Sequence, residues 1–347
     1  NWYPSAEYET SNTIKNVGLF DLTPFSKFEI KSDKAHKELQ KICTANIKNE
    51  VGKCIYTHML NPDGGIETDL TVVCIEKDHF RIISSAATRE RDKFHIKKYL
   101  AKDIELKDVT DDFCVFGVFG PKSRALMKSI SKDNFENDEF RFGTAKYISI
   151  EGIKIWTQRL SYVGELGFEL YVRSKDAKKI YELLINRGKD FNLSNCGMHA
   201  MDIMRMESGF LHWGHDISPE ENQYQAGLSF TISSKKEDEF IGKRALEKIK
   251  KEKIKSRFAM FTLKDSKPGE PLLLHDEPIY LENNIIGRST SGNYSFNFKK
   301  NLAFGYINND ISNDELHKKD LFIEVEKKKY LIEIIIKPLK QTNFKNN

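Results

Sequence analysis

Cysteine is sparse in this 347-residue sequence and follows no recurring spacing. Five cysteines are present, an odd number, and no C-x-x-C pair occurs among them. Because a disulfide framework needs paired cysteines and a zinc site needs closely spaced ligands, the sequence predicts neither. The pattern favours a reducing compartment. The five are Cys43, Cys54, Cys74, Cys114 and Cys196.

Long apolar runs and a large charge of one sign are also missing. No apolar stretch approaches the length of a bilayer-spanning helix, so a membrane protein is not expected. The 55 Lys and Arg against 51 Asp and Glu leave a net charge of +4, which is too small and too dispersed to indicate a nucleic-acid partner. The lysine-rich residues 248–255 are interpreted as the solvated face of a helix.

Nucleotide-binding and serine-nucleophile motifs do not occur either. Without G-x-G-x-x-G or a Walker sequence, a tightly bound nucleotide or flavin is not predicted within this chain. No G-x-S-x-G elbow is present. The sequence opens with neither a signal peptide nor a methionine but with Asn1, which suggests a fragment of a longer protein.

Strand–helix units recur along the first two thirds of the chain. Residues 28–39 and 168–183 both run from a Phe-Glu strand into an amphipathic helix, and residues 115–127 form a third candidate in which Pro121 suits the first helical turn. Further strands, such as residues 146–156, separate these units. The order predicts an α+β fold rather than a doubly wound α/β fold.

The texture changes at about residue 257 to short strands separated by turns, which predicts a small antiparallel sandwich or barrel. A lysine-rich helix at residues 242–255 is expected to link the two parts. We expect a first region of residues 1–250 and a second of residues 251–347. The strands expected in the second region lie at residues 257–263, 278–281, 302–307 and 321–336.

Asp69 stands out in the segment NPDGGIETDLTV, residues 61–72, where a Pro-Asp-Gly-Gly turn leads into a strand. The period of two puts Asp69 on the face opposite Ile66, although aspartate is poorly suited to a strand interior. A hairpin would bring Asp69 beside Tyr56, where a buried carboxylate would be a candidate proton acceptor. Taken alone, the segment favours a solvated strand carboxylate at Asp69.

Glu169 is a second candidate, in residues 160–170, where two glycines bracket a sharp turn after Tyr162. The period of two places Glu169 on the same face as Tyr171 and away from Phe168. A carboxylate accepts two hydrogen bonds from a planar N–H and NH2 edge such as a pterin presents. An edge-strand glutamate in water is the alternative.

The third candidate segment is residues 197–209, a predicted helix in which Met198, Met201 and Met204 recur every three residues. Such a stripe is typical of a core. Asp202 and Arg205 are expected to pair on the helix surface. Residues 212–216, His-Trp-Gly-His-Asp, offer no third ligand of suitable spacing, so no metal site is predicted.

Together, in this order, the motifs resemble the aminomethyltransferase family, the T-protein of the glycine cleavage system and its relatives. Other features resemble the C-terminal folate-binding part of dimethylglycine and sarcosine dehydrogenases, namely residues 1–3, 51–61 and 199–202. The family motifs are residues 18–23, 64–70, 161–169, 205–207 with 213–216, and 287–292 with 305–306.

The resemblance implies a three-part cloverleaf around a tetrahydrofolate pocket, with an antiparallel β-barrel as its C-terminal domain. It assigns proton transfer to Asp69 and recognition of the pterin edge to Glu169. Met201 replaces the T-protein's pocket arginine and Phe210 replaces a pocket tyrosine, so both donor and folate contacts are expected to differ. The cofactor-binding residues that it implies are Tyr56, Met59, Tyr162, Glu169, Met201 and Phe210.

The activity implied is tetrahydrofolate-dependent one-carbon transfer, in which an iminium or formaldehyde unit from an N-methylated glycine is captured as 5,10-methylenetetrahydrofolate. An FAD-dependent dehydrogenase domain or subunit is the implied partner, in the bacterial cytoplasm or the mitochondrial matrix. Two alternatives stay open. One is a stand-alone aminomethyl- or methyltransferase with another donor, and the other is a non-catalytic folate-binding module.

Overall fold

The computed structural model describes residues 2–234, 236, 239–341 and 345. Among these residues, no helix combines the length and the apolar character that crossing a bilayer would require. Numbered in chain order, the helices and strands are α1 Tyr3–Lys15, β1 Val17–Asp21, β2 Ser26–Lys31, α2 Ala35–Ile42, β3 Cys54–Leu60, β4 Ile66–Glu76, β5 His79–Ser84, α3 Arg89–Tyr99, β6 Leu106–Asp108, β7 Phe113–Phe119, α4 Ser123–Ile130, β8 Ala145–Ile150, β9 Ile153–Gln158, β10 Gly167–Arg173, α5 Ala177–Gly188, β11 Leu193–Cys196, α6 Met198–Glu207, α7 Lys243–Lys251, β12 Ser256–Leu263, β13 Pro278–Leu281, β14 Asn284–Ser295, β15 Lys300–Asn308, α8 Asn313–Lys318, β16 Leu321–Val325 and β17 Lys328–Ile335.

The first sheet has the strand order β11-β1-β7-β10-β9-β8. Helices α4 and α5 cover its outer face, where Phe168, Leu170 and Val172 of β10 are buried with apolar residues of both helices. The predicted strand–helix units are confirmed here as β7–α4 and β10–α5. Pro121 lies before the first turn and not in it, because α4 begins at Ser123.

The second sheet has the order β3-β4-β5-β2-β6 and contains the third unit, β2–α2. Along β4, buried and half-buried residues alternate from Ile66 to Val72, as the period of two predicts. The buried set, including Leu70 and Val72, packs under α2 and α3. The half-buried set, which includes Asp69, therefore points towards the other face of this sheet.

The inner faces of the two sheets meet in a central apolar cluster. The second sheet contributes Cys54 and Val73, and the first sheet contributes Trp156 and Tyr171. Helix α6 closes the cluster with Met201 and its neighbours. Any polar side chain on either inner face is thus held near the centre of the α+β part.

Strands β12 to β17 form a closed antiparallel barrel, in the order β12-β15-β14-β13-β16-β17. The four segments predicted as strands are confirmed. Strand β14 and helix α8 were not predicted, because β14 is rich in Gly, Ser, Asn and Thr and carries little apolar alternation. The chain is therefore an α+β protein of three parts, two sheets and a barrel.

The predicted linking helix is confirmed as α7, although it is shorter than residues 242–255. Gly242 precedes its first turn with φ +83°, a left-handed conformation that suits glycine. Leu246 is buried, whereas Lys248 and Lys250 are exposed. This agrees with the interpretation of the lysine-rich segment as a solvated helix face.

Candidate active site

The β3–β4 hairpin brings Asp69 to the polar group that the sequence predicted. Asp69 lies directly opposite His58 in the ladder, and Tyr56 is opposite Thr71, one diagonal step away. All of these residues share the inner face of the second sheet. Nε2 of His58 lies 3.6 Å from Oδ1 of Asp69 and 3.3 Å from the hydroxyl oxygen of Tyr56.

Asp69 is a carboxylate with little to stabilise its charge. Its side chain is only 18% exposed, so it is not the solvated strand residue that the sequence alone allowed. Oδ1 makes no hydrogen bond within the described part of the chain. Burial raises the pKa of Asp69 to about 7, which outweighs the opposing effect of the Tyr56 hydroxyl. Asp69 is therefore poised to change its protonation near neutral pH.

Tyr162 lies on the other side of this group. Its hydroxyl donates a hydrogen bond to the carbonyl oxygen of Leu211 at 2.9 Å, and its ring is stacked on Phe210 with centroids 6.1 Å apart. Burial raises the pKa of Tyr162, and the charges of Asp216 and Asp69 act in the same direction. Tyr162 thus stays protonated at neutral pH and forms an aromatic wall with Phe210.

Glu169 occupies an interior strand and not an edge. Strand β10 lies between β7 and β9, where Glu169 faces Gly117 on one side and Gln158 on the other. The hydroxyl of Tyr171 donates a hydrogen bond to Oε2 of Glu169 at 3.2 Å. Burial raises the pKa of Glu169 to about 7. This second carboxylate also has no ion-pair partner among the described residues.

Gln158 and His58 were missed as site residues by the sequence analysis. Both are fully buried, and Nε2 of Gln158 has no hydrogen-bond partner in the described residues. The period of two would have indicated His58, because it lies two residues after Tyr56. No comparable local signal marks Gln158, which joins Glu169 only through the pairing of β9 with β10.

The two methionines predicted to bind the cofactor, Met201 and Met59, lie in different apolar clusters. Met201 is buried in the central cluster near Tyr162. Met59 corrects the prediction, because it follows His58 by one residue and so points to the opposite face, into the core under α2 and α3. The methionine stripe is only partly buried, since Met198 is 60% exposed. Steps of three residues drift round a helix of 3.6 residues per turn.

A separate buried network joins α6 to the barrel. Arg205 pairs with Asp202 as predicted, but Arg205 is 1% exposed and not on the surface. Its guanidinium donates to Asp216 and to the hydroxyl of Ser291, which itself donates to Asp216 at 2.8 Å. No group of three His, Cys, Asp or Glu in the described residues is arranged to hold a metal ion.

Two family models match this chain. The model described as the GCVT N-terminal domain matches residues 1–236, and the glycine cleavage T-protein C-terminal barrel domain matches residues 257–340. The chain belongs to the aminomethyltransferase family. Members of this family are folate-dependent transferases, and tetrahydrofolate is their cofactor.

Individual relatives fall into two kinds. The chain is 33% identical to mitochondrial dimethylglycine dehydrogenase of Rattus norvegicus over 98% of its own length, but it spans only 39% of that protein. It is 31% identical to an aminomethyltransferase of Halothermothrix orenii, over 87% of this chain and 83% of the relative. The aminomethyltransferase T of Bartonella henselae has the same fold, with a TM-score of 0.86 at 20% identity over 97% of this chain and 90% of the other.

The buried polar groups fit the cofactor of the aminomethyltransferase family. A pterin edge presents N–H donors beside a carbonyl acceptor. Glu169 offers acceptors, and Nε2 of Gln158, which has no partner among the described residues, offers a donor. Asp69 adds an unpaired acceptor on the facing sheet. A ligand of this class would satisfy polar atoms that the described residues leave without partners.

Proposed function

We propose that this chain transfers a one-carbon unit to tetrahydrofolate, and that the unit is the iminium or formaldehyde equivalent released from an N-methylated glycine such as dimethylglycine or sarcosine. The observation that carries the proposal is the position of Asp69. Its carboxyl is buried, has an unpaired Oδ1 and has a pKa of about 7, which suits a general base near neutral pH.

When bound, tetrahydrofolate supplies the amine nitrogens that take up the one-carbon unit and release a proton as 5,10-methylenetetrahydrofolate is formed. Asp69 in its ionised form accepts that proton. Glu169 and Gln158 hold the pterin edge, and Tyr56, Tyr162 and Phe210 enclose the rings. By excluding water, these side chains strengthen the hydrogen bonds that fix the orientation.

The choice of donor rests on the relatives and on one substitution. Several relatives are oxidising enzymes of which this chain matches less than two fifths, among them 4-methylaminobutanoate oxidase (formaldehyde-forming) of Paenarthrobacter nicotinovorans, with 34% identity over 89% of this chain and 37% of the oxidase. Met201 stands where the resemblance places the T-protein's arginine. We therefore infer that an FAD-dependent dehydrogenase region or subunit delivers the unit.

An aminomethyl group on a carrier is the second candidate donor. It is supported by the Halothermothrix orenii aminomethyltransferase, 83% of which is covered by this chain. In that case the chain would act without an oxidising partner. The two candidates share Asp69 and Glu169 and differ in what approaches the folate site.

The first test is calorimetric titration of tetrahydrofolate into the protein, followed by a competition for formaldehyde. A separate flavoenzyme would oxidise dimethylglycine while free formaldehyde and 5,10-methylenetetrahydrofolate are measured. We expect this chain to bind folate and to divert carbon from free formaldehyde. Asp69→Asn should bind folate without this diversion, and its matched control is Asp63→Asn, which changes an exposed turn carboxylate of the same hairpin and should behave as the unaltered protein.

Failure of the folded protein to bind tetrahydrofolate would overturn the proposal. Binding without diversion, together with product formation from an aminomethylated lipoyl carrier, would establish the second donor instead. Binding with neither activity would identify a non-catalytic folate-binding module.

A further inference from the structure

His58 is a buried polar residue of the candidate site that has no role in the proposed mechanism. It is fully buried on the inner face of the second sheet, opposite Asp69 in the β3–β4 ladder. Nε2 points to both Asp69 and Tyr56, at 3.6 Å and 3.3 Å. A polar ring in this position needs partners on both of its nitrogens.

The partners of Nδ1 determine where the ring carries its proton. Nδ1 lies 3.0 Å from the hydroxyl oxygen of Thr231, which donates its own proton to the carbonyl oxygen of Leu228 at 2.7 Å. Because that proton is already used, the Thr231 oxygen is left to accept from Nδ1–H. A neutral imidazole with its proton on Nδ1 has a free lone pair on Nε2.

Gln223 supports the same assignment. Its amide nitrogen lies 3.1 Å from Nδ1 and donates to the hydroxyl oxygens of Thr231 at 2.9 Å and Thr44 at 3.0 Å. Both N–H groups of this amide thus have acceptors of their own, so neither has to donate to Nδ1. Nδ1 is therefore left to donate to the Thr231 hydroxyl oxygen, and Nε2 is left unprotonated.

The ring is also kept neutral. Burial lowers the pKa of His58 to about 3, so the imidazole does not compete with Asp69 for a proton at neutral pH. The groups that face Asp69 are Tyr56 and His58 on β3, Asp92 on α3 and Tyr162 on the loop before β10. Of these, only His58 offers a neutral nitrogen acceptor.

We propose that His58 is a positioning residue for Asp69, whose unprotonated Nε2 accepts the hydrogen bond that becomes available when Asp69 takes up a proton. The donor is the new carboxyl O–H of Asp69, or the Tyr56 hydroxyl once Asp69 no longer attracts it. The catalytic role of this contact rests on the proposed function. The contact itself is a property of the folate-free protein.

The first test reads the tautomer of the unaltered protein by long-range ¹H–¹⁵N correlation of its histidine rings, with His58 assigned by its loss in His58→Asn. We expect a protonated Nδ1 and an unprotonated Nε2 in His58 across pH 6 to 8. A proton on Nε2 would overturn the proposal. This readout needs no altered protein to be active.

The second test follows the carboxyl carbon of Asp69 by ¹³C NMR during a pH titration without folate, with Asp69→Asn used for assignment. His58→Asn keeps a polar atom near Thr231 but has none at the position of Nε2, whereas His58→Gln puts an amide at that position. We expect the pKa of Asp69 to fall by about one pH unit in His58→Asn and to recover in His58→Gln, because a bond to the protonated form is lost and then restored.

An unchanged Asp69 titration in folded His58→Asn would contradict the proposal. If that variant does not fold, Thr231→Val decides instead, since it removes the acceptor of Nδ1–H and should lower the pKa of Asp69 in the same direction. Neither readout uses folate, so a negative calorimetric titration would remove the proposed function without affecting the result for His58.

Discussion

Two buried carboxylate sites in this chain are built in opposite ways. Asp216 is fully buried, yet it receives hydrogen bonds from Arg205, Thr290, Ser291 and the backbone N–H of His212. The side chain of Asp69 is 18% exposed, but no Lys or Arg in the described residues forms an ion pair with it, and its buried Oδ1 has no hydrogen-bond partner among those residues. The first arrangement gives the carboxylate a countercharge, and the second leaves a carboxylate that is easily protonated.

The difference shows what burial does when a countercharge is present or absent. With Arg205 beside it, a buried carboxylate has a countercharge and links α6 to the barrel. Without such a partner, burial itself raises the pKa, which happens at both Asp69 and Glu169. We therefore expect changes at the first site to affect folding and changes at the second to affect folate chemistry.

The largest effect is expected from Arg205→Met. Removing the guanidinium leaves Asp216 as an uncompensated buried charge, so the free energy of unfolding should fall by about 3 to 5 kcal/mol in a urea titration. Arg288→Met is the matched control, because Arg288 and its partner Asp276 are both exposed, and it should cost less than about 1 kcal/mol. Equal losses in the two variants would contradict the comparison.

Glu169→Gln should weaken binding of tetrahydrofolate by about 10- to 100-fold, since a charged acceptor for the pterin edge is lost while the shape is kept. Calorimetry measures the affinity, and thermal melting should show little change. The control is Glu182→Gln on the exposed side of α5. An unchanged affinity in folded Glu169→Gln would exclude Glu169 from pterin recognition.

The smallest effect concerns stability and pH. The folded pKa of Asp69 is about 7, above its usual value of 3.8, so the folded state binds more protons between these values and its stability falls as pH rises towards 7. Between pH 5.5 and 8.5, Asp69→Asn should lose less stability than the unaltered protein, by about 1 to 2 kcal/mol. Parallel urea titrations measure this, and identical pH profiles would contradict a buried titrating Asp69.

Local patterns in the sequence predicted much of this structure, because strand alternation and helix periodicity depend on which face is buried. The hairpin that carries Asp69, the shared face of Glu169 and Tyr171, and the Asp202–Arg205 pair were all accessible in this way. Met59 was assigned by family position alone, and its place in the alternation contradicts that assignment. The pairing of strands that are distant in sequence could not be predicted from local patterns. Gln158 lies beside Glu169 only because β9 pairs with β10. Strand β14 escaped prediction because its polar residues Thr290 and Ser291 bind Asp216.

The most direct test of the account is the rate of 5,10-methylenetetrahydrofolate formation at saturating folate, measured from pH 5 to 9 for the unaltered protein and Asp69→Asn. If Asp69 is the proton acceptor, the rate of the unaltered protein should rise with pH through about 7. Asp69→Asn should still bind folate, but its rate should be at least about 100-fold lower and independent of pH in this range. A rate in Asp69→Asn equal to that of the unaltered protein would contradict the role of Asp69.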